Sequence, residues 1–169
     1  MDKPAKLLIA IGLTLVTPAP TSAQTQATIT LERGPCMGEC PLYRFRVGAD
    51  GIGVFEGRKF TAAIGEHRFM ASPEASAAFR NALAPFRPKG SEDVVLGHPR
   101  CKQMSTDHPT VSVLWEDSEG IDRLSYNFGC RSTENGALAQ ALADAPDLLP
   151  LADLIERFPL RDGEFHGRN

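Results

Sequence analysis

Six stretches of alternating apolar and polar residues and three of helical period set out the elements of the chain. Thr28-Ile29-Thr30-Leu31-Glu32 alternates and predicts a first strand. Leu42 to Val47 sets Tyr43, Phe45 and Val47 on one face, with Arg44 and Arg46 on the other. Gly48-Ala49-Asp50-Gly51 then supplies a turn, and Ile52 to Glu56 returns. With Gly48 facing Gly51, Val47 meets Ile52 and Phe45 meets Val54, all on one face. Glu66 to Met70 reads as a shorter fourth strand carrying a half-exposed His67. Thr110 to Glu116 and Ile121 to Phe128 form a second hairpin around Asp117-Ser118-Glu119-Gly120. Pairing Glu116 with Ile121 sets Val113 opposite Leu124 and Val111 opposite Tyr126, with Trp115 on the same face.

Ser72-Pro73-Glu74 starts a helix: a hydroxyl cap, a proline in the first turn and an acid at the positive end of the dipole. Phe79, Ala82, Leu83 and Phe86 recur at helical spacing until Pro85 and Pro88 end it. Asn135 to Ala145 is a second helix with Leu138 and Leu142 inward. After Pro146, the span Leu148 to Phe158 carries Leu151, Leu154, Ile155 and Phe158 as a further apolar stripe. Lys89 to Pro109 is a long loop rich in glycine, proline and charge, a length at which loops are usually functional. Strands joined by tight turns are antiparallel, and the helices fall in separate blocks. The expected fold is α+β: an antiparallel sheet of about six strands with two to three helices packed on one face.

The front of the chain changes the picture of where this domain works. Met1 to Lys6 is charged, Leu7 to Val16 is apolar, and Thr17 to Ala23 is built of proline and small residues. That order describes a secretory signal peptide, with cleavage expected after Ala23. An apolar run this short falls well below the ~20 residues of a membrane-spanning helix. The expected organisation is a signal peptide over 1–23, a single α+β domain over 24–158 and a polar tail over 159–169, located in the periplasm or secreted. No membrane span is expected after cleavage. The formal charge of −3 and pI near 5.8 argue against a nucleic-acid partner, which calls for a basic face.

An even set of four cysteines in an exported chain favours disulfides. Of three possible pairings, Cys36–Cys40 with Cys101–Cys130 is preferred: the first closes the loop Gly34 to Pro41, and the second ties the base of the second hairpin. Thiol–disulfide chemistry at Cys36 and Cys40 is the alternative, but Pro41 and a strand follow, so no helix dipole lowers a thiol pKa. Within the long loop, His98, Cys101, Asp107 and His108 have the types of a zinc site if Cys101 is reduced. Ser105, Asp107 and His108 have the types of a nucleophilic triad, though adjacency in sequence is poor evidence for its geometry. No Gly-x-Ser-x-Gly or Ser-x-x-Lys element accompanies them.

The stretch Leu31-Glu32-Arg33-Gly34-Pro35-Cys36-Met37-Gly38-Glu39-Cys40-Pro41-Leu42-Tyr43, followed by Asp50-Gly51 and Phe55-Glu56-Gly57, resembles an uncharacterised bacterial family. That family is a secreted or lipoprotein-borne domain of unknown function, of the DUF6438 type. Its opening pattern is Arg-x-x-Cys-aromatic-Gly-x-Cys-Pro-x-Tyr, and Met37 stands where an aromatic is commoner. The likeness covers roughly Ile29 to Phe86 well, and the Cys101 and Cys130 pair looks like a feature of only some members. The resemblance implies neither a reaction nor a ligand.

Two functions from different classes follow. The first is an exported, non-catalytic binding domain without cofactor or metal, its partner a protein or small molecule of the cell envelope. If the two polar loops emerge at one sheet end, Met37, Glu39, His98, Arg100, Asp107 and His108 form a single contact surface. The second is a small periplasmic enzyme working through Cys36 and Cys40 or through the 98–108 loop.

Overall fold

The computed structural model describes residues 27–156. The signal peptide, its cleavage after Ala23, Phe158 and the tail from Pro159 lie outside them. Seven strands form one sheet: β1 (Thr28–Arg33), β2 (Leu42–Val47), β3 (Ile52–Lys59), β4 (Gly65–Met70), β5 (Ser91–Val94), β6 (Thr110–Asp117) and β7 (Gly120–Asn127). Their spatial order is β4-β3-β2-β1-β6-β7-β5. All neighbours are antiparallel except β5, which runs parallel to β7, so the sheet is mixed. The α+β class holds, with one strand more than expected. The additional strand, β5, lies inside the span read as loop from Lys89 to Pro109.

Helices α1 (Pro73–Leu83), α2 (Gly136–Asp144) and α3 (Ala152–Ile155) accompany the sheet. Ser72 caps α1 by accepting a hydrogen bond from the Ala75 amide at 3.2 Å, and Pro73 opens its first turn. Phe79 and Leu83 of α1, Leu138 and Leu142 of α2, and Leu151 are buried with Leu31, Phe45, Phe55, Val113 and Tyr126 of the sheet. Arg80 reaches from α1 to the carbonyls of Ala27 (2.9 Å) and Val47 (3.3 Å), locking the helix to the sheet. The opposite face of the sheet carries no helix among the described residues, and none of their helices is long and apolar enough to cross a membrane.

The second hairpin has the expected register, Glu116 with Ile121, Val113 with Leu124 and Val111 with Tyr126. The first is shifted by one residue: Val47 pairs with Gly53 and Phe45 with Phe55. A one-residue slip reverses every side chain, so Ile52 is exposed while Gly53, Phe55 and Gly57 face the core. Packing explains the choice. The Phe69 ring occupies the space a side chain at Gly53 would need, and the Ala63 carbonyl does the same at Gly57. Gly51, at φ +78°, makes the turn that gives this register.

Arg87 fastens the segment after α1 to the tip of the second hairpin. Its Nη1 bonds Asp117 at 2.6 Å and its Nε bonds Asp122 at 2.5 Å. The hydrogen bond from Arg87 holds Asp117 below the ordinary carboxylate range; Asp122 is held down by the Gly90 amide first and Arg87 second. Depressed folded-state pKa values contribute stability that is present above the unfolded value near 3.9 and lost as pH falls through the folded values. Urea midpoints at pH 6 and pH 3 are expected to differ less in the Asp117→Asn/Asp122→Asn variant than in the wild type.

Candidate functional site

Strand directions bring the informative loops together. β1 and β7 end, and β2 and β6 begin, at one edge of the sheet, and β5 runs with β7 toward it. The loops over 34–41, 95–109 and 128–135 therefore all emerge there. Backbone bonds join them: Gly34 N–H to Thr110 O (2.8 Å), Met37 N–H to Asp107 O (3.3 Å), and Ser105 N–H to Gly129 O (3.0 Å). Gly129 permits the last approach, because a side chain there would collide with the Ser105 carbonyl.

Both disulfides lie at this end, with the preferred connectivity. Cys36–Cys40 closes the first loop, and Cys101–Cys130 ties the second loop to the third. Buried Asn135 adds a polar lock, its Nδ2 donating to the carbonyls of Arg100 and Cys130 at 2.9 Å each. The Tyr126 hydroxyl donates to the same Cys130 carbonyl at 3.0 Å.

The proposed contact residues divide into two groups. Met37 (75% exposed), Glu39 and Asp107 crown the joined loops, and half-buried His108 lies at their inner side. Asp107 holds a left-handed backbone at φ 72°, an uncommon conformation for a non-glycine residue. His98 and Arg100 instead turn inward to Glu92 of β5, Arg100 Nη2 at 2.5 Å and His98 Nε2 at 3.5 Å. They anchor the long loop rather than crown it.

Beside His108 lies a cleft of about 250 Å³ with Phe128 and Ala139 as apolar lining and Arg131, Ser132 and Asn135 as polar lining. Gly136, the first residue of α2, also lines it. Arg33 extends over the Phe128 ring, 6.0 Å from its centroid. Arg33 also neighbours Tyr43, whose hydroxyl is pushed up to about 12 by burial, with Arg33 opposing part of the rise. A second depression of about 410 Å³ shares Arg131 and Ser132 and adds Lys102, Gln103 and Glu134.

The residues named for a zinc site and for a nucleophilic triad on the long loop have other partners. Cys101 is buried and bonded to Cys130. Among the described residues no three His, Cys, Asp or Glu side chains group as a metal site, and no hydrogen bond joins the side chains of Ser105, Asp107 and His108. The Asp107 carboxylate instead accepts from the Thr106 hydroxyl at 3.3 Å.

Sequence reasoning missed Arg131, Ser132, Phe128 and Asn135. The signal that finds them is the cysteine pairing: once Cys130 is joined to Cys101, its neighbours belong to the same surface as the long loop.

The family model described as "Domain of unknown function (DUF6438)" matches residues 27–148. The chain belongs to this DUF6438 family. The match runs from the start of β1 through α2, so it takes in every strand, both disulfides and the whole loop end. No curated protein and no solved structure matches this DUF6438 chain.

Proposed function

We propose that this DUF6438 domain is an exported, non-catalytic binding module, periplasmic or secreted, whose recognition surface is the stapled loop end. The observation that carries this reading is the convergence of both disulfides and three hydrogen-bonded loops at one end of the sheet, where the cleft beside His108 lies. Loops fixed before binding lose little further entropy when a ligand arrives, which is the advantage of preorganisation. Arg131 and His108 suit an anionic group, and Phe128 suits a flat apolar body beside it. Met37, Glu39 and Asp107 then contact the remainder of the partner.

Benzoate carries both features and serves as the probe, with benzyl alcohol as its neutral counterpart. Titrated into ¹⁵N-labelled protein, benzoate is expected to shift amides in 104–109 and 128–139, while benzyl alcohol shifts them far less. Arg131→Ala is expected to weaken benzoate about tenfold, the loss of one modest charge-assisted bond. Equal shifts from both probes, or shifts elsewhere only, would overturn the reading. Steady reduction of a peptide disulfide by the Cys36–Cys40 pair in the presence of dithiol would replace it with the redox function.

A further inference from the structure

We propose that the uncovered face of the sheet carries a separate ligand site, a groove between Arg44 and Arg123 that takes a small dicarboxylate. The groove has a volume of about 440 Å³ and is lined by Thr30, Ser112, Leu114, the two arginines and Glu32, whose carboxylate is held by Arg58. That volume lies within the usual range for small-molecule sites.

The groove follows from side-chain length along two rows of the sheet. In one row Arg44 of β2 pairs with Glu32 of β1, Glu32 with Ser112 of β6, and Ser112 with Ser125 of β7. In the next, Arg46 of β2 pairs with Thr30 of β1, Thr30 with Leu114 of β6, and Leu114 with Arg123 of β7. The two central strands thus place Thr30, Ser112 and Leu114 on this face beside Glu32, and the strands outside them place the guanidinium side chains of Arg44, Arg46 and Arg123. Thr30, Ser112 and Leu114 make the floor, and Arg44 and Arg123 the walls. The strands carrying the two walls are three spacings apart, roughly 14 Å.

Behind Arg58, Arg44 helps to hold the Glu56 carboxyl low across the β2–β3 pair, but neither its guanidinium nor that of Arg123 is locked in an ion pair among the described residues. Beside Arg44, Glu32 is bonded to Arg58 at 2.7 Å and Glu56 to Arg58 at 3.0 Å. Beside Arg123, Asp122 points to the other face and is bonded to Arg87. Neither Arg44 nor Arg123 enters an ion pair with any described residue. Two cations on opposite walls of the groove, with Glu32 already neutralised by Arg58, complement a molecule with a carboxylate at each end, since each guanidinium can bind one carboxylate in bidentate fashion. Thr30 and Ser112 serve hydroxyl or carbonyl groups between the ends, and Leu114 gives the carbon chain an apolar seat.

Succinate is the probe, with succinamide as the uncharged equivalent and inorganic phosphate as the single-centre anion. Calorimetry on the full chain, with the signal segment removed, is expected to show succinate binding that Arg44→Gln and Arg123→Gln each weaken at least tenfold. Ser112→Phe fills the groove and is expected to abolish it, with circular dichroism confirming that each variant folds. Amide shifts are expected in β1, β6 and β7, and Arg131→Ala is expected to leave them unchanged, which separates this site from the loop end. Succinamide binding as well as succinate, phosphate binding as well as succinate, or insensitivity to both arginine substitutions would each overturn the proposal.

Discussion

Removing the Cys101–Cys130 bond by the double substitution Cys101→Ala/Cys130→Ala is expected to lower the unfolding free energy by about 3.5 kcal/mol. The bond closes a loop of about 30 residues, and the estimate is the entropy returned to the unfolded chain when that closure is lost. The same substitution frees the carbonyl side of the loop end. Cys130 is the residue on which Asn135 and Tyr126 both converge, so its displacement endangers two buried hydrogen bonds. Cys36→Ala/Cys40→Ala is the comparison. It releases a ring of five residues and is expected to cost about 2 kcal/mol at most. Urea unfolding of both variants checks the order. If the short bridge proves the more stabilising, loop entropy is not what these bonds contribute.

Phe45→Ala is expected to cost about 3–5 kcal/mol, the range for deleting a buried phenylalanine ring. Phe45 is fully buried, pairs with Leu31 on one side and Phe55 on the other, and meets the ring of Phe79 on α1 at 5.7 Å between centroids. Its loss therefore opens a cavity where sheet and helix join. A companion pair tests the hairpin register directly. Phe55→Ala is expected to cost about as much as Phe45→Ala. Ile52→Ala, at a 47% exposed position, is expected to cost about 0.5 kcal/mol or less. The register anticipated from the alternation alone would require Ile52 to be the costly position.

That pair also explains which parts of the fold were legible in the residues. The second hairpin carries large apolar side chains at two successive facing pairs of core positions, so Val111, Val113, Leu124 and Tyr126 could line up in one way only. In the first hairpin, two core positions of β3 are Gly53 and Gly57. The space beside them is filled by the Phe69 ring at Gly53 and by the Ala63 carbonyl and Thr61 hydroxyl at Gly57, which belong to other parts of the chain. The pattern of β3 by itself then favours Ile52 and Val54, and only tertiary packing corrects it. β5 was illegible for a similar reason. Ser91-Glu92-Asp93-Val94 has one apolar residue, and its strand character comes from lying parallel to β7. At the loop end, the meeting of the cysteine loop with the 104–109 segment was legible as a condition on strand direction. The inward turn of His98 and Arg100 was not, because it depends on Glu92, a residue of the unrecognised strand.

The place of β1 in the sheet governs how this chain can come to be folded. Its partner β2 follows at once, but its other partner, β6, is roughly 80 residues further along. Until Thr110–Asp117 is available, the middle strand has one bare edge, and the first four strands and α1 lack the support that buries Ile29 and Leu31. Contacts this distant in sequence must pay their closure entropy before they reward it, so folding is slow relative to a helical chain of the same size. A chain interrupted before Thr110 is left with half a sheet and an adhesive edge. The domain therefore waits for its later half and then closes around its first strand.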